Sequence, residues 1–324
     1  IFGIFRGLEG AYNVALMKAI PNKELLNQEY LYWFLKTDSL VKFVEKSSKR
    51  AAGQDGVRKE VLYTYPTPIP PLPQQKQIVA ILDKAFAAID TAKANAEQNL
   101  QNAKELFESY LQNVFENKGD DWAEYELSEI VDKRCSLSYG IVQPGNEFPN
   151  GLPVIRPTNM KNKFVYPLGL KLIDPTKAES YKRTSLVGDE LLLCVRGETG
   201  VTSLITDELK GANVTRGIVP VCFDSEKLSL PFGYYLFVSP FVQKQIKDKT
   251  YGAALMQINI RDVRKLLVRI PSKKEQEEIV QKLDALSAET KKLEAIYIQK
   301  IADLEEMKKS VLQKAFSGQL NTIN

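Results

Sequence analysis

Gln75-Lys76-Gln77-Ile78-Val79-Ala80-Ile81-Leu82-Asp83 returns later in the chain as Gln276-Glu277-Glu278-Ile279-Val280-Gln281-Lys282-Leu283-Asp284. The likeness extends in both directions without a gap. Ile69-Pro70, Ala87, Ala94, Gln98, Glu105, Ser109, Leu111-Gln112 and Phe115 match Ile270-Pro271, Ala288, Ala295, Gln299, Glu306, Ser310, Leu312-Gln313 and Phe316. A repeat at so long a period is not a solenoid but a duplicated module. Such a module suits a partner or ligand that itself has two halves.

Both copies read as helices. In the first, apolar residues fall at Ile78, Leu82, Ala85, Ile89, Ala92, Ala96, Leu100, Ala103, Phe107, Tyr110 and Val114, in steps of three and four. The second holds the same stripe from Ile279 through Leu283, Leu286, Thr290, Leu293, Tyr297, Ile301 and Leu304 to Val311 and Ala315. Ser272-Lys273-Lys274-Glu275 is a capping box, and Pro73 suits a first turn, where no amide partner is required. The spacing predicts helices over 73–117 and 273–316, each roughly 65 Å long at about 1.5 Å per residue. One narrow stripe on so long a helix needs a partner helix. Matching stripes favour pairing within the chain over a dimer coil, and the large intervening segment favours an antiparallel coiled coil.

The 119–268 segment has a different texture. Short β-rich runs such as Leu191-Leu192-Leu193-Cys194-Val195 and Ile218-Val219-Pro220-Val221-Cys222-Phe223 alternate with Gly, Pro and Asn turns. A helix is expected at 232–247. The fold class expected is therefore α+β, with mixed α/β globules alternating with the two long paired helices. The duplication also reaches upstream. Gly10-Ala11-Tyr12-Asn13-Val14 echoes Gly211-Ala212-Asn213-Val214, and Tyr32-Trp33-Phe34-Leu35 echoes Tyr234-Tyr235-Leu236-Phe237. Residues 1–65 thus look like the back portion of a second globule, and the counterpart of 122–202 is expected to be supplied by preceding residues or by another segment.

Composition bounds the function more than it names it. At 324 residues, with 44% hydrophobic and 26% charged residues, the chain suits two or more ordinary globular units. The net charge of +4 permits nucleic acid without demanding it. Local charge says more. Arg156, Lys161, Lys163, Lys171, Lys177, Lys182 and Arg183 face only Asp174 and Glu179, and Lys244, Lys247, Lys249, Arg261, Arg264, Lys265 and Arg269 face only Asp248 and Asp262. Solvated surface faces are the plainer account of both stretches. Cys135, Cys194 and Cys222 are too far apart for a metal knuckle or a disulfide framework, which fits a reducing cytoplasm. No apolar run approaches a membrane span. There is no histidine, so the commonest general base and metal ligand is missing, and no glycine-rich cofactor motif appears.

Several strings in the globule carry a resemblance. They are Trp122-Ala123-Glu124-Tyr125-Glu126-Leu127, Tyr139-Gly140-Ile141-Val142-Gln143-Pro144-Gly145, Gly151-Leu152-Pro153-Val154-Ile155-Arg156-Pro157, Val195-Arg196-Gly197 and Asn213-Val214-Thr215-Arg216-Gly217-Ile218. The exit runs from Ile258-Asn259-Ile260-Arg261 through Ile270-Pro271 to Gln276. In this order, and together with the repeat, they resemble the specificity subunit of type I restriction–modification systems. The resemblance implies target-recognition domains alternating with conserved helical regions. The bounds expected are 1–65 for the C-terminal part of a first recognition domain lacking its front, 66–118 for the first helical region, 119–268 for a complete second recognition domain and 269–324 for the second helical region. It further implies a non-catalytic, cofactor-free, cytoplasmic subunit that reads a split duplex-DNA target. Two methyltransferase subunits would dock on the helices, and a restriction subunit would join indirectly.

Base reading needs donors and acceptors presented from loops, Arg towards guanine and Asn or Gln towards adenine. Tyr139, Gln143, Arg156, Asn159, Arg196, Thr199, Arg216, Gln257 and Asn259 lie near expected turns or strand ends and are the base-edge candidates. Lys161, Lys163, Lys182, Lys244, Lys249 and Arg261 are the phosphate candidates, which would position without specifying. For each, a turn hydrogen bond or a surface charge is the plainer alternative. Arg196-Gly197-Glu198-Thr199-Gly200 reads as a turn and not a phosphate cradle, and Tyr30, Tyr32, Trp33 and Phe34 read as core and not a stacking platform. A pure protein scaffold is the competing function. The basic clusters argue against it, and the common aromatic RNA-binding strings are missing.

Overall fold

Helix periodicity over some forty residues dominates the computed structural model, which describes residues 3–5, 16–47, 59–117, 119, 121–134, 136–253 and 255–320. Three short helices come first: α1 (Gln28–Leu35), α2 (Asp38–Ser47) and α3 (Lys59–Tyr63). The long α4 (Leu72–Glu116) follows, with Pro73 in its first turn. Then come strands β1 (Ala123–Glu126), β2 (Leu152–Ile155), β3 (Phe164–Val165), β4 (Lys171–Ile173), β5 (Leu191–Cys194), β6 (Thr202–Ile205), β7 (Asn213–Val214) and β8 (Ile218–Val221). Helices α5 (Leu230–Val238), α6 (Pro240–Lys249) and α7 (Ile260–Arg264), strand β9 (Leu267–Ile270) and the long α8 (Lys273–Phe316) complete the order. The single helix expected at 232–247 is two helices. Ser239 is extended at ψ 149° ahead of Pro240, which has no amide to continue α5 and instead begins α6.

The chain divides into two units, 1–103 with 292–324, and 104–291. The two long helices are antiparallel partners within each. In the first unit Asp90 accepts from Lys308 at 2.6 Å, and Lys93 pairs with Glu305. Ile78, Val79, Leu82 and Phe86 share a core there with Leu312 and Ala315. In the second unit Leu111 and Phe115 share a core with Leu283, and Ile279 and Val280 pack against it. The two arrangements use equivalent residues of the repeat, so the helix pair is built by one packing rule applied twice. Each unit also plugs its globule helices into that pair with aromatics. Phe316 meets Tyr30 and Phe34 at 5.0 and 5.5 Å between ring centres, and Phe115 meets Phe232 at 5.5 Å. Tyr30, Trp33 and Phe34 are buried, as a core reading of that cluster requires. Gly10–Val14 and Cys135 lie outside the described residues.

The sheets belong to the second unit. β3, β6, β5 and β8 lie side by side in that order, and β4, β2 and β7 form a second, three-stranded sheet. β2 runs parallel to β7 and antiparallel to β4, whereas β5 is antiparallel to both its neighbours. All four residues of β5 and of β8 are buried, hence their unbroken apolar sequences. β1 pairs with β9, with Glu124 opposite Arg269 and their side chains 3.0 Å apart. The globule's entry is thereby fastened to its exit just before α8.

A buried glutamine in each copy of the repeat fastens globule to helix. Gln276 Oε1 accepts from the Ser229 N–H at 2.9 Å, while its Nε2 donates to the Lys227 and Pro271 carbonyls at 2.8 and 3.0 Å. Gln75 does the same in the first unit, accepting from the Asn27 N–H at 2.7 Å and donating to the Leu25 and Pro70 carbonyls at 2.9 and 2.6 Å. One helical turn pair further on, Asp83 accepts from Trp33 Nε1 at 2.9 Å and Asp284 accepts from the Tyr235 hydroxyl at 2.5 Å. Glu275 N–H donates to Ser272 Oγ at 3.3 Å, one half of the expected capping box, but the Glu275 carboxylate takes the Trp122 indole N–H at 2.9 Å.

Candidate nucleic-acid interface

Short strands end together in the second unit, and their ends carry the charged residues. Arg156 follows β2, Arg196 lies just beyond β5, and Arg216 sits between β7 and β8. Backbone hydrogen bonds stitch these ends into one row. Arg216 N–H donates to Ile141 O, Thr215 N–H to Ile155 O and Val195 N–H to Gly217 O, at 2.9, 2.9 and 2.8 Å. Ile258 N–H reaches Val195 O at 3.0 Å, and Arg196 bridges Gln257 across an antiparallel step. Asn259 immediately precedes α7 as its N-cap, and its Oδ1 accepts from the Tyr251 hydroxyl at 2.7 Å. Tyr139 lies at the same edge, because its hydroxyl oxygen accepts from the Ile260 N–H at 3.2 Å. Tyr139, Arg156, Arg196, Arg216, Gln257 and Asn259 therefore converge although they span more than a third of the chain.

Charge in the row is unbalanced. None of the Arg156, Arg196, Arg216, Lys244, Lys249 and Arg261 side chains forms an ion pair with a described residue. Other cations of the same unit are engaged: Arg134 with Asp132 and Asp189, Arg269 with Glu124, and Arg264 with the Leu137 carbonyl. Arg156 Nε is also buried without a hydrogen-bond partner, a condition that buried polar atoms seldom tolerate without a ligand or water. Lys244, Lys247, Asp248, Thr199, Thr250 and Met256 line an open cleft of about 660 Å³ beside the row.

The remaining sequence candidates are scattered. Asn159 uses its amide oxygen to accept from the Arg156 N–H at 2.9 Å, closing a 3-10 turn after β2. Thr199 Oγ1 accepts from Thr250 Oγ1 at 3.3 Å, and Gly197 and Gly200 flank it with positive φ, so that segment is the turn its glycines suggest. Gln143 and Lys161 are exposed on other loops, and Lys182 is exposed in the 3-10 segment Pro175–Thr184. Lys163 has a different task. Its ammonium pairs with Asp284 at 2.7 Å and lies 4.7 Å from the Tyr235 ring centre, at the junction with α8. Burial opposes charge on Asp284, but hydrogen bonds from Lys163 and Tyr235 outweigh it and hold the carboxyl below the usual range. Burial, then the Asp284 hydrogen bond, pushes the Tyr235 phenol well above its own.

Among the described residues one group has metal-ligand chemistry, Asp189 with Glu190 and Cys222. The buried Glu190 carboxylate already accepts from the Val187 and Gly188 N–H groups at 2.6 and 2.9 Å, which closes the turn into β5, so its role is structural. No described helix is long and apolar enough to cross a membrane.

Residues 5–102 and 119–303 match the family model described as type I restriction modification DNA specificity domain. The chain belongs to that family. It is 26% identical over 276 residues to the EcoBI type I restriction enzyme specificity subunit of Escherichia coli, covering 78% of this chain and 58% of the relative. The EcoKI specificity subunit of E. coli strain K12 is 25% identical over 275 residues, with 78% and 57% covered. The MjaVIII specificity subunit of Methanocaldococcus jannaschii is 22% identical over 338 residues, with 99% and 77% covered. The chain thus spans little more than half the length of the two E. coli relatives. In fold it resembles a chain from a type I R-M system structure, with TM-score 0.76, 20% identity and 92% and 73% coverage. It also resembles the HsdS subunit of Thermoanaerobacter tengcongensis, with TM-score 0.60, 19% identity and 92% and 72% coverage.

Two features escape a reading of residue types. The Gln75 and Gln276 clamps are marked only by their recurrence in the repeat. The described apolar residues 251–253, 255 and 256 next to Arg196 carry no charge and so no electrostatic signal.

Proposed function

We propose that the chain acts as a sequence-specific DNA-binding specificity subunit. In this reading the 119–268 recognition domain grips one half of a split duplex target through the row Tyr139, Arg156, Arg196, Arg216, Gln257 and Asn259. Residues 1–65 are the C-terminal part of a first recognition domain. The helical regions 66–118 and 269–324 set the distance between half-sites and dock two methyltransferase subunits, through which a restriction subunit joins. The chain itself contributes no catalytic group or cofactor, and a DNA partner implies work in the cytoplasm.

The observation that carries this reading is the convergence of three unpaired arginines at neighbouring strand ends. Guanidinium groups are suited to guanine edges and to phosphates, and flanking Lys244 and Lys249 would add phosphate contacts without sequence preference. A protein scaffold gives no reason to gather uncompensated cations on one edge. The deciding experiment is binding of a labelled random-sequence duplex pool measured against salt. Phosphate contacts release counterions, so log affinity should fall linearly with log salt, with a slope of about −0.9 per contact. Binding that is absent at low salt, or insensitive to salt, refutes the proposal. Co-expression with the methyltransferase partner and mapping of methylated bases would then identify the target. S-adenosylmethionine should not bind the chain alone.

A further inference from the structure

The hairpin beside Arg196 faces solvent with no charged side chain. Tyr251 N–H donates to the Gln257 carbonyl at 2.9 Å and Gln257 N–H to that of Tyr251 at 2.8 Å, which closes the loop. Its described residues between them are Gly252, Ala253, Leu255 and Met256. Gly252 sits at φ +125°, and a Cβ there would come within 2.3 Å of the Leu255 carbonyl oxygen, so the loop closes only with glycine. The returning arm is braced on the chain beyond β5: Gly197 N–H donates to Met256 O at 2.8 Å and Ile258 N–H to Val195 O at 3.0 Å. Tyr251 is held by its hydroxyl on Asn259. On this fixed support Leu255 is 45% exposed and Met256 43%.

A single exposed aliphatic residue needs no explanation. Two on a braced tip inside a cationic edge are a different matter. Arg196 lies on one side, and Lys244 and Lys247 share the open cleft with Met256. Asp248 is the one carboxylate lining that cleft, against Lys244 and Lys247. A surface that is apolar at its point and carries an excess of cations beside it complements a duplex, which offers phosphates outside and stacked base faces within. Architectural DNA-binding proteins insert Leu or Met between base steps in this way and unstack them. Resting on the DNA-reading function proposed above, we infer that Leu255, supported by Met256, is a wedge that enters the base stack beside the half-site read by Arg196, Gln257 and Asn259. The wedge would make the site depend on the ease of unstacking one base step, a specificity the polar residues alone cannot provide.

The test uses permanganate, which oxidises thymines that have lost their stacking. The full chain is bound to a random duplex pool at low salt, treated, and the bound DNA sequenced. The wild-type protein should produce one hyperreactive thymine position at a fixed offset from the selected motif. Leu255→Ser should abolish that signal while leaving the salt slope of binding unchanged, and Leu255→Met should retain it. A thermal melt matching wild type confirms that the exposed substitution leaves the fold intact. Bound DNA with no hyperreactive thymine, or a signal that survives in a folded Leu255→Ser protein, overturns the wedge but leaves the DNA reader standing. Capture of no duplex at all, with Leu255 engaged only by a protein partner, overturns both.

Discussion

Replacing Gln276 by alanine should loosen the second unit more than any exposed substitution on α8. The side chain is fully buried and makes three hydrogen bonds to backbone groups from Lys227 to Pro271. Alanine leaves two carbonyls and one N–H without a partner, at about 1–3 kcal/mol for each truly buried group. Two of the three bonds are only part-buried, which places them at the low end, and release of the glutamine rotamers returns up to about 2 kcal/mol. A net loss of about 3 kcal/mol follows, more than a hundredfold in the unfolding equilibrium. Gln276→Glu should be at least as damaging, because it turns a carboxylate oxygen of a fully buried side chain towards two carbonyls. Gln281→Ala, on an exposed position of the same helix, should stay within about 0.5 kcal/mol. The assay is urea unfolding followed by tryptophan fluorescence. Trp33 and Trp122 are the only tryptophans, one in each unit, so a Trp33→Phe background isolates the second unit. A Gln276→Ala loss below about 1 kcal/mol, or a neutral Gln276→Glu, refutes the clamp. The equivalent bonds of Gln75 predict a similar loss for Gln75→Ala in the first unit.

Three further outcomes follow from the same geometry. Folding depresses the Asp284 pKa, so its contribution is complete above the ordinary Asp value of about 3.9 and disappears as pH falls through the lower folded value. Acid unfolding of Asp284→Asn, followed by circular dichroism, should be flatter than wild type across that window, and an unchanged profile contradicts the assignment. Arg196→Ala should cost about 1–3 kcal/mol on the preferred duplex and relax one base position, whereas Lys244→Ala should weaken all duplexes alike and reduce the salt slope by about 1. Equal effects of the two on sequence preference would undo the division between reading and positioning. Inserting one heptad in both α4 and α8 should lengthen the spacer of the methylated target by about 10 Å, or about three base pairs. Methylation mapping that returns the original spacer rules out the helices as a ruler.

The long helices were legible because their signals are local and sustained. A stripe at steps of three and four over some forty residues, a proline or capping serine at the start, and a second copy to pair with leave few alternatives. The expected 73–117 and 273–316 agree with Leu72–Glu116 and Lys273–Phe316 to within a residue. The break at Ser239-Pro240 was missed, because Pro240 reads as a first-turn proline only once α5 is seen to end there. The globule gave weaker signals. Its strands are two to four residues long, too short for a period to establish itself, and β2, β5 and β7 find their neighbours through long-range pairing.

The amino-acid order by itself determined the duplication, the antiparallel helix pair and a mixed, cationic globule, since each rests on local periodicity, on repetition or on residue type. Which cations stand together was a tertiary decision. Lys163 looks no different from Lys244 in sequence, yet the fold carries it to Asp284, 121 residues away, while Lys244 stays unpaired beside a cleft. Arg156, Arg196 and Arg216 meet because strand ends are stitched by backbone hydrogen bonds that any side chains could accompany. Backbone pairing carries no side-chain signature, and so only the folded arrangement selects the row.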